Sequence, residues 1–600
     1  MIERNDFNIE TCPIIGYYDQ QRFKQFNPSD CANWYLVKSD FGKKKVAMYP
    51  VMGRRHINYL GVNRLVFSEE PRGAFKSINY SYYVVENSII RVDKQYNQVD
   101  ISNGLVTTFT GEIFFSFLVT PSITFACFVD GQHLYVYRED TGQFSIITDT
   151  NLPASPKYIA TFGNRIVVAG NNSPEFRLSK INLGGNAFDP ATSFTISGGA
   201  LFAQESGIVR QFGVLYNTLY IFTDYTTGIW SNSPSVIPLP DGTFSTFPWK
   251  KNTSYNWDYG ILNSRSLAIG FGTMVWCAQN SEGLIQIVAT TGQAPKPIST
   301  KAIDILFQRE IRQFIIGKES PFLSGNAEGF IYQWENTIFY RISAGKYHDY
   351  GILDIQTDAN SIEYNFDTKT WHRVIEKNGE RNRIQKHVFF NNTHFVTVLG
   401  DTTVYEMSGQ FYDNERSNPD RVNPQEANSY IREPFRYERV SQLIFLSDYG
   451  EFLTEWVQID FVWGENLSVY SESPFANAEF IIAQDIIDGE PQYIIDDETV
   501  NGNPQYLITE AGNVPQLNEP IYNDLFKPHI ELYFSDDGGV SFLPADVKEF
   551  SQLGVYSWRM RWYQLDTSRN RCYKLVCVSP SPVVVLGATM SRRRSSGGAC

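Results

Sequence analysis

The stretch Tyr82-Tyr83-Val84-Val85-Glu86-Asn87-Ser88-Ile89-Ile90-Arg91-Val92 consists of two apolar runs separated by a short polar segment. Aromatic and β-branched residues fit the half-buried surface of a pleated sheet, so each run predicts a β-strand. Asn87 favours a tight turn, because Asn, Asp and Gly best tolerate the positive φ that hairpin turns require. The stretch therefore predicts an antiparallel hairpin.

The same strand–turn–strand unit recurs along the chain, with turns at Asn87, Gly131, Asn164, Asn217, Asn280, Asn336 and Asn392. The turns are spaced about 51 residues apart on average, close to the length of one four-stranded blade. The individual spacings are uneven. The pattern predicts an all-β fold with a β-propeller of about seven blades, six to eight being possible, and an array of β-sandwiches is the alternative.

Changes in composition divide the chain into three parts. We expect an N-terminal arm with the first strands at 1–70, a propeller body at 71–430 and a C-terminal antiparallel β region at 431–600. Within the last part, an acidic insert at 475–520 repeats a turn and a short apolar strand at Gly489–Ile495 and Gly502–Ile508. The insert is either a solvated excursion or an element that projects from the body and contacts another subunit or another protein.

The overall composition favours a large core and argues against tight binding of nucleic acid. Hydrophobic residues make up 42% of the chain and charged residues 19%, and the formal net charge is −14. Proteins that grip nucleic acid usually carry a basic patch, because phosphate contacts dominate the affinity. An acidic protein can still line a channel through which DNA slides with little adhesion.

Two features predict a protein that folds in a reducing cytoplasm. The seven cysteines are odd in number and include no CxxC pair, so we expect free thiols: Cys12, Cys31, Cys127, Cys277, Cys572, Cys577 and Cys600. The first residues are polar and do not resemble a signal peptide. The most apolar stretch, 113–129, is interrupted by Pro121 and alternates with period two, which predicts two buried strands rather than a membrane span.

Motifs for catalysis and for cofactors are missing from the sequence. Asp40-Phe41-Gly42 stands without the other kinase motifs, and there is no Walker A loop, GxSxG elbow or HExxH sequence. His387 and His394 flank one predicted turn and could meet across a hairpin, most simply as structural histidines. We therefore predict a protein that is not an enzyme, with no catalytic residues, no bound metal and no cofactor.

The most specific local motif is Ser535-Asp536-Asp537-Gly538-Gly539-Val540-Ser541-Phe542. It resembles the Asp box of sialidases and other propellers, a structural turn that lies far from the active site in those families. Asp537 is expected to accept backbone N–H groups within the turn, Gly539 to adopt the unusual dihedral angles and Phe542 to fill the core. Ser535 and Ser541 complete the motif.

The C-terminal region resembles a known protein family. Its segments Ile530–Gly539, Trp558–Leu565, Arg569–Leu575 and Pro582–Ala588 are similar to the end of the packaged-DNA stabilisation proteins of short-tailed bacteriophages, also called tail hub or nozzle proteins. Arg569-Asn570-Arg571 departs from the acidic centre that is usual at that turn. The detailed resemblance covers about 60 residues, and the middle of the chain resembles the family only loosely, as at Gly292–Thr300.

This resemblance implies a virion protein that is assembled in the host cytoplasm. It also implies a homo-oligomer, which in this family is typically a hexamer. Such a ring lies below the portal and adaptor proteins, extends the DNA channel and retains the packaged genome. It also carries tail fibres, spikes or a needle, and genomic DNA passes through it without sequence-specific binding.

Two other functions stay open at this point. A glycan-cleaving propeller enzyme would gather Arg and carboxylate side chains at one end of the propeller axis. A module that binds host glycans would instead expose aromatic side chains in a shallow groove.

Overall fold

The computed structural model describes residues 8–39, 45–59, 62–63, 65–196, 201–238, 244–252, 256–306, 327–344, 360–418, 430–463, 486–487, 490–491, 529–549 and 557–594. Their regular structure is almost entirely β, apart from short 3-10 segments at Ile181–Ala187 and Ser264–Ser266 and a helical turn at 301–306. This confirms the all-β class. The insert at 475–520 lies outside the described residues except for two strands of two residues each.

Seven short strands come first: β1 (Asn8–Thr11), β2 (Asp30–Ala32), β3 (Trp34–Lys38), β4 (Val46–Pro50), β5 (Gly53–His56), β6 (Asn58–Tyr59) and β7 (Val62–Asn63). Seven antiparallel sheets, the propeller blades, follow in chain order.

The first three blades comprise β8 (Gly73–Lys76), β9 (Ser81–Val85), β10 (Ser88–Val92) and β11 (Gln98–Asp100); β12 (Phe114–Val119), β13 (Thr124–Val129), β14 (Leu134–Arg138) and β15 (Gln143–Ile146); and β16 (Pro156–Phe162), β17 (Arg165–Gly170), β18 (Glu175–Leu178) and β19 (Leu201–Gln204). The stretch 113–129 thus forms the hairpin of β12 and β13, as its alternating pattern predicts. Among the described residues, no helix has the length and apolar character needed to span a bilayer.

The remaining blades complete the ring. Blade 4 has β20 (Val209–Leu215), β21 (Thr218–Thr223), β22 (Thr227–Ser231) and β25 (Lys250–Lys251), with an added hairpin of β23 (Ser235–Pro238) and β24 (Phe244–Phe247). Blade 5 has β26 (Gly260–Ile261), β27 (Ala268–Gly270), β28 (Thr273–Gln279), β29 (Ile285–Thr290) and β30 (Lys296–Pro297). Blade 6 has β31 (Glu328–Trp334), β32 (Thr337–Ala344), β33 (Asn360–Asn365) and β34 (Thr370–Arg373), and blade 7 has β35 (Ile384–Phe390), β36 (Thr393–Val398) and β37 (Val404–Ser408).

Apolar side chains between neighbouring blades hold the ring together. Where the ring closes, Val388 and Phe390 of blade 7 pack with Tyr83 and Val85 of blade 1 in one buried cluster. The predicted turns lie one in each blade, and Gly131, Asn164, Asn336 and Asn392 all have the positive φ expected of them. In the part of the chain that the structure describes, the propeller therefore has seven blades, as predicted.

The fourth strand of blade 7 comes from the N-terminal part of the chain. Strand β5 pairs antiparallel with β37, so that His56 lies opposite Tyr405 and Gly53 opposite Ser408. The segment 1–70, expected to hold an arm and the first strands, therefore supplies a strand of the propeller ring.

The C-terminal region folds as a β-sandwich. Its strands are β38 (Asp413–Ser417), β39 (Tyr430–Val440), β40 (Ile444–Phe445), β41 (Phe452–Trp463), β42 (Ile486–Ile487), β43 (Glu490–Pro491), β44 (His529–Ser535), β45 (Leu543–Glu549), β46 (Ser557–Tyr563), β47 (Thr567–Ser568), β48 (Asn570–Ser579) and β49 (Val583–Arg594). One sheet has the order β3-β4-β49-β41-β46, and the other runs through β2, β39, β48, β44 and β45. A single buried cluster, including Trp34, Phe461, Trp562 and Leu575, fills the space between them.

The sandwich is continuous with the propeller. Strand β2 pairs with β34 of blade 6 and with β39, while β38 pairs with β5 of blade 7. The N-terminal and C-terminal strands meet in the sandwich, where β1 pairs with β49 and the Trp34 indole N–H donates to the Val583 carbonyl over 2.8 Å.

The described cysteines are buried free thiols: Cys12, Cys31, Cys127, Cys277, Cys572 and Cys577. Burial raises the pKa of Cys31 and of Cys572 to about 12. These thiols are therefore protonated at neutral pH. Cys600 lies outside the described residues.

Candidate functional sites at the two ends of the propeller axis

Five charged side chains meet where the innermost strands of five blades begin. Arg265 lies 3.3 Å from Glu112 and 3.5 Å from Glu328, Lys386 lies 3.5 Å from Glu328, and Lys157 lies 3.6 Å from Glu112. We call this set the axial charge cluster. Glu112 precedes blade 2 and Arg265 belongs to blade 5, three blades away in a ring of seven, so ion pairs bridge the axis at this end.

The axial charge cluster has the residue types that a glycan-cleaving site would need, but its members neutralise one another. Each of the two carboxylates contacts two cations. Lys386 is buried, and its pKa is lowered by burial and by Arg265 although Glu328 opposes the change. The five side chains therefore close this end of the propeller axis, and their ion pairs with one another hold them in place.

The opposite end of the axis holds an open cavity of about 780 Å³, the axial cavity. It lies among the ends of the innermost strands of blades 1, 5, 6 and 7. Its aromatic walls are Phe75, Phe271, Phe330, Tyr332, Trp334 and Phe389, and its polar lining residues are Lys76, Gln333, Glu335, Asn336, His387 and His394.

Several of the innermost strands carry small residues where they line the axial cavity. Ala74, Ala268, Gly270 and Gly329 line it, whereas the innermost strand of blade 2 carries Phe115 and Phe117. A Cβ atom at Gly270 would lie 2.8 Å from the Ile331 side chain, so the strands of blades 5 and 6 approach closely there.

His387 and His394 meet across the β35–β36 hairpin at the wall of the axial cavity. Their Nε2 and Nδ1 atoms lie 2.9 Å apart, and the His387 ring stacks on Phe330 with centroids 5.0 Å apart. Burial lowers the pKa of His394 to about 4; burial, followed by the neighbouring His394, lowers the pKa of His387. Both imidazoles are thus neutral at pH 7, and one donates a hydrogen bond to the other. In the described part of the chain, no group of three or more His, Cys, Asp or Glu side chains is placed to hold a metal ion.

The rim of the axial cavity is apolar and carries little charge. Ile269, Phe271 and Phe389 are 39%, 51% and 40% exposed there. The Lys76 ammonium lies 5.4 Å from the centroid of the Phe389 ring. Glu335 is the single charged residue in the seven turns that follow the innermost strands, at 77–80, 120–123, 163–164, 216–217, 271–272, 335–336 and 391–392.

The Asp-box residues lie far from both sites, in the sandwich hairpin between β44 and β45. Asp537 accepts hydrogen bonds from the Val540 and Ser541 N–H groups at 2.9 Å and from the Ser535 hydroxyl at 2.7 Å. The Ser541 hydroxyl also donates to Asp537, and these bonds lower the pKa of its carboxyl. Gly539 has a φ of +87°, in the region that favours glycine.

The turn packs against the N-terminal part of the chain. A Cβ atom at Gly539 would lie only 2.6 Å from the Pro28 side chain, and one at Gly538 only 2.9 Å from the Gln25 backbone. Phe542 is half-buried beside Lys574 instead of filling the core, because β45 is an edge strand that is exposed over most of its length.

Buried ion pairs between distant parts of the chain form a further set of residues that the sequence does not reveal. Arg54 of β5 pairs with Glu376 at 2.8 Å, and Arg373 of blade 6 pairs with Asp30 of β2 at 2.6 Å. Burial acts to raise the pKa of Glu363, but Arg341 and His372 overcome it and lower that pKa to about 2. The Arg54–Glu376 and Arg373–Asp30 partners are 322 and 343 residues apart, so no local pattern could identify these two pairs.

Comparisons with known proteins add no functional assignment. No family model and no curated protein matches the chain. Among solved structures, the chain is similar to a streptogramin B lyase, with 10% identity over 57% of this chain and 96% of that one and a TM-score of 0.30. It is also similar to the WD40 domain of Neurospora crassa Pan2, with 9% identity over 70% of this chain and 98% of that one and a TM-score of 0.28. Similarities this low carry no argument, and the propeller assignment rests on the strand pairing.

Proposed function

We propose that this chain is a structural component of a short-tailed phage tail, the hub or nozzle. Six copies form a ring below the portal and adaptor, extend the DNA channel, retain the packaged genome and anchor fibres, spikes or a needle. The basis is the resemblance of 530–588 to the tail hub family, which involves β44, β46, β48 and β49 of the sandwich.

The observation that best supports a structural role is the way the sandwich is locked to the ring. Arg373 of blade 6 donates to both carboxylate oxygens of Asp30 in β2, at 2.8 and 2.6 Å, and the Arg54 Nε of β5 donates to the Glu415 carbonyl of β38. These contacts, together with the shared strands, oppose separation of the two bodies. A hub that carries appendages under load needs this rigidity.

The axial charge cluster bears on the path of DNA in this proposal. Arg265 bridges the propeller axis between Glu112 and Glu328, so DNA does not pass along the propeller axis of a single chain. The DNA channel of the ring would therefore run between subunits. The acidic balance of the chain favours passage of DNA without adhesion.

The proposal includes the absence of catalysis. In the axial charge cluster, Glu112 and Glu328 are each held by two cations, which suits a structural plug. We expect no turnover with glycoside, ester or phosphodiester substrates. Any hydrolysis that Glu112→Gln or Glu328→Gln abolished without unfolding the protein would contradict this part of the proposal.

The test is cryo-EM of the phage particles whose genome encodes this chain, together with native mass spectrometry of the purified protein. We expect a six-fold ring of the chain between the adaptor and the tail appendages, and hexamers alone or with the adaptor protein. Particles that lack the chain, or a chain that is monomeric with and without the adaptor, would overturn the proposal.

A further inference from the structure

The axial cavity has a composition that the hub role does not use. It combines exposed aromatic faces with side chains that both donate and accept hydrogen bonds, and it carries almost no charge. Its volume of about 780 Å³ lies within the range typical of small-molecule sites, which is roughly 300–1,000 Å³.

The aromatic walls present flat surfaces for stacking. Phe271 of blade 5 and Phe389 of blade 7 belong to the two blades that flank blade 6, and each is exposed over about half of its surface. Trp334 lies between them in blade 6, half-buried against Gly409, where a Cβ atom would come within 2.3 Å of the indole ring. Exposed aromatic rings at fixed positions suit a ligand with flat C–H faces.

The polar lining suits hydroxyl groups. The amides of Gln333 and Asn336 and the neutral His387–His394 pair supply both donors and acceptors. A wholly apolar occupant would desolvate these groups without pairing them, which costs about 1–3 kcal/mol for each group. The ligand therefore needs hydroxyl or amide groups beside its apolar faces.

The charges of the axial cavity favour a neutral ligand. Lys76 is the one cation in the lining and Glu335 the one carboxylate, and the Lys76 ammonium already lies over the Phe389 ring. The lining contains no arginine that could grip a phosphate, sulfate or uronate in a bidentate manner. An anionic polymer has no matching surface here.

We propose that the axial cavity is a binding site for a neutral oligosaccharide, stacked on Phe271 and Phe389. Saccharide rings offer apolar C–H faces and dense hydroxyl groups, the two properties that the walls match. The site is a binding site, and no bond is made or broken in it. The proposal stands apart from the hub function and holds whether or not the chain forms a ring.

The test measures binding by saturation-transfer difference NMR and isothermal titration calorimetry. The full-length protein is titrated with maltohexaose, cellohexaose and chitohexaose, with the anionic hexamer of galacturonate and with an uncharged peptide that contains Trp. We expect saturable binding of at least one neutral hexasaccharide. Phe271→Ala and Phe389→Ala should each weaken that binding about three- to tenfold, the value of one lost stacking contact.

Phe445→Ala is the matched control, because Phe445 is 47% exposed but lies in the sandwich, away from the axial cavity. Its affinity should equal that of the unchanged protein, and circular dichroism should show that all three variants remain folded. Three results would overturn the proposal. The first is that the protein binds no neutral hexasaccharide, and the second is that the Phe271→Ala and Phe389→Ala variants bind it as tightly as the parent protein does. The third result is tighter binding of the galacturonate hexamer or of the peptide than of any neutral hexasaccharide.

Discussion

At the residue scale, Asp537 organises a whole turn. One carboxylate accepts two backbone N–H groups and two hydroxyls, while the glycines beside it let Gln25 and Pro28 approach. Without this carboxylate, the N–H groups of Val540 and Ser541 would lose their partner. The turn would then loosen at the place where the N-terminal part of the chain docks.

Replacing Asp537 by Ala should lower the free energy of unfolding by about 1–3 kcal/mol, because the polar groups of the turn lose their acceptor. The measurement is the thermal or urea midpoint. The control is Asp546→Ala on the same hairpin, where an exposed ion pair with Lys548 should be worth less than about 1 kcal/mol. Equal midpoints for Asp537→Ala and the parent protein would refute a structural role for the carboxylate.

The His387–His394 pair should make stability depend on pH. The pKa of His394 in the folded state is about 4, below the ordinary value of 6.5, so the unfolded chain binds protons first as the pH falls. The contribution of this pair is complete above pH 6.5 and is lost as the pH drops from 6.5 towards 4. His394→Gln should reduce the loss between pH 7 and 4.5 by about 1 kcal/mol, a value that allows for the half-exposed ring.

Urea titrations at both pH values measure this difference. His133→Gln removes a histidine from the turn between β13 and β14 of blade 2, outside the axial cavity, and serves as the control. If His394→Gln and the parent lost the same free energy on acidification, the neutral pair would not be the cause.

At the element scale, strand β5 completes the ring through charged side chains. Replacing Arg54 by Met would leave Glu376 buried without its cation, and we expect a loss of about 3–5 kcal/mol. The control is Arg569→Met, which breaks an exposed pair with Glu451 and should cost less than about 1 kcal/mol. Midpoints of urea unfolding measure both variants, and a similar small effect of the two substitutions would contradict the importance of the buried pair.

The blades could be predicted from the sequence because their hairpins are local. The seven predicted turns lie in seven different blades, yet they are not equivalent. Asn164, Asn217, Asn336 and Asn392 follow the innermost strand, whereas Asn87, Gly131 and Asn280 follow the second strand. This difference explains the uneven spacing of the turns, while the number of blades was still correct.

The closing strand and both axial sites could not be predicted in the same way. Strand β5 reads Gly-Arg-Arg-His, without the aromatic or β-branched residues that indicate a strand, and its partners Glu376 and Glu415 are more than 300 residues away. The axial cavity likewise is lined by residues of blades 1, 5, 6 and 7 that only the ring brings together. Pairing at long range carries no periodic signal in the sequence.

At the scale of the whole molecule, the propeller and the sandwich share strands, and we expect them to unfold together. A continuous sheet runs from blade 6 through β2 and β39 to the sandwich and through β38 to β5 of blade 7. Differential scanning calorimetry should therefore give one transition, with tryptophan fluorescence changing over the same temperatures. Two separated transitions would mean that the shared strands do not couple the two bodies.

Because β5 closes the ring, the ring cannot be completed during translation until β37 has been synthesised. Strand β5 is synthesised early, but β37, its antiparallel partner, follows about 350 residues later. At a translation rate of roughly 5–20 residues per second, β5 remains without its partner strand for about 20–70 s. Trp34, Tyr35 and Leu36, which are buried in the finished protein, are exposed during that delay. We therefore expect incomplete chains to leave this apolar segment open to association with other molecules.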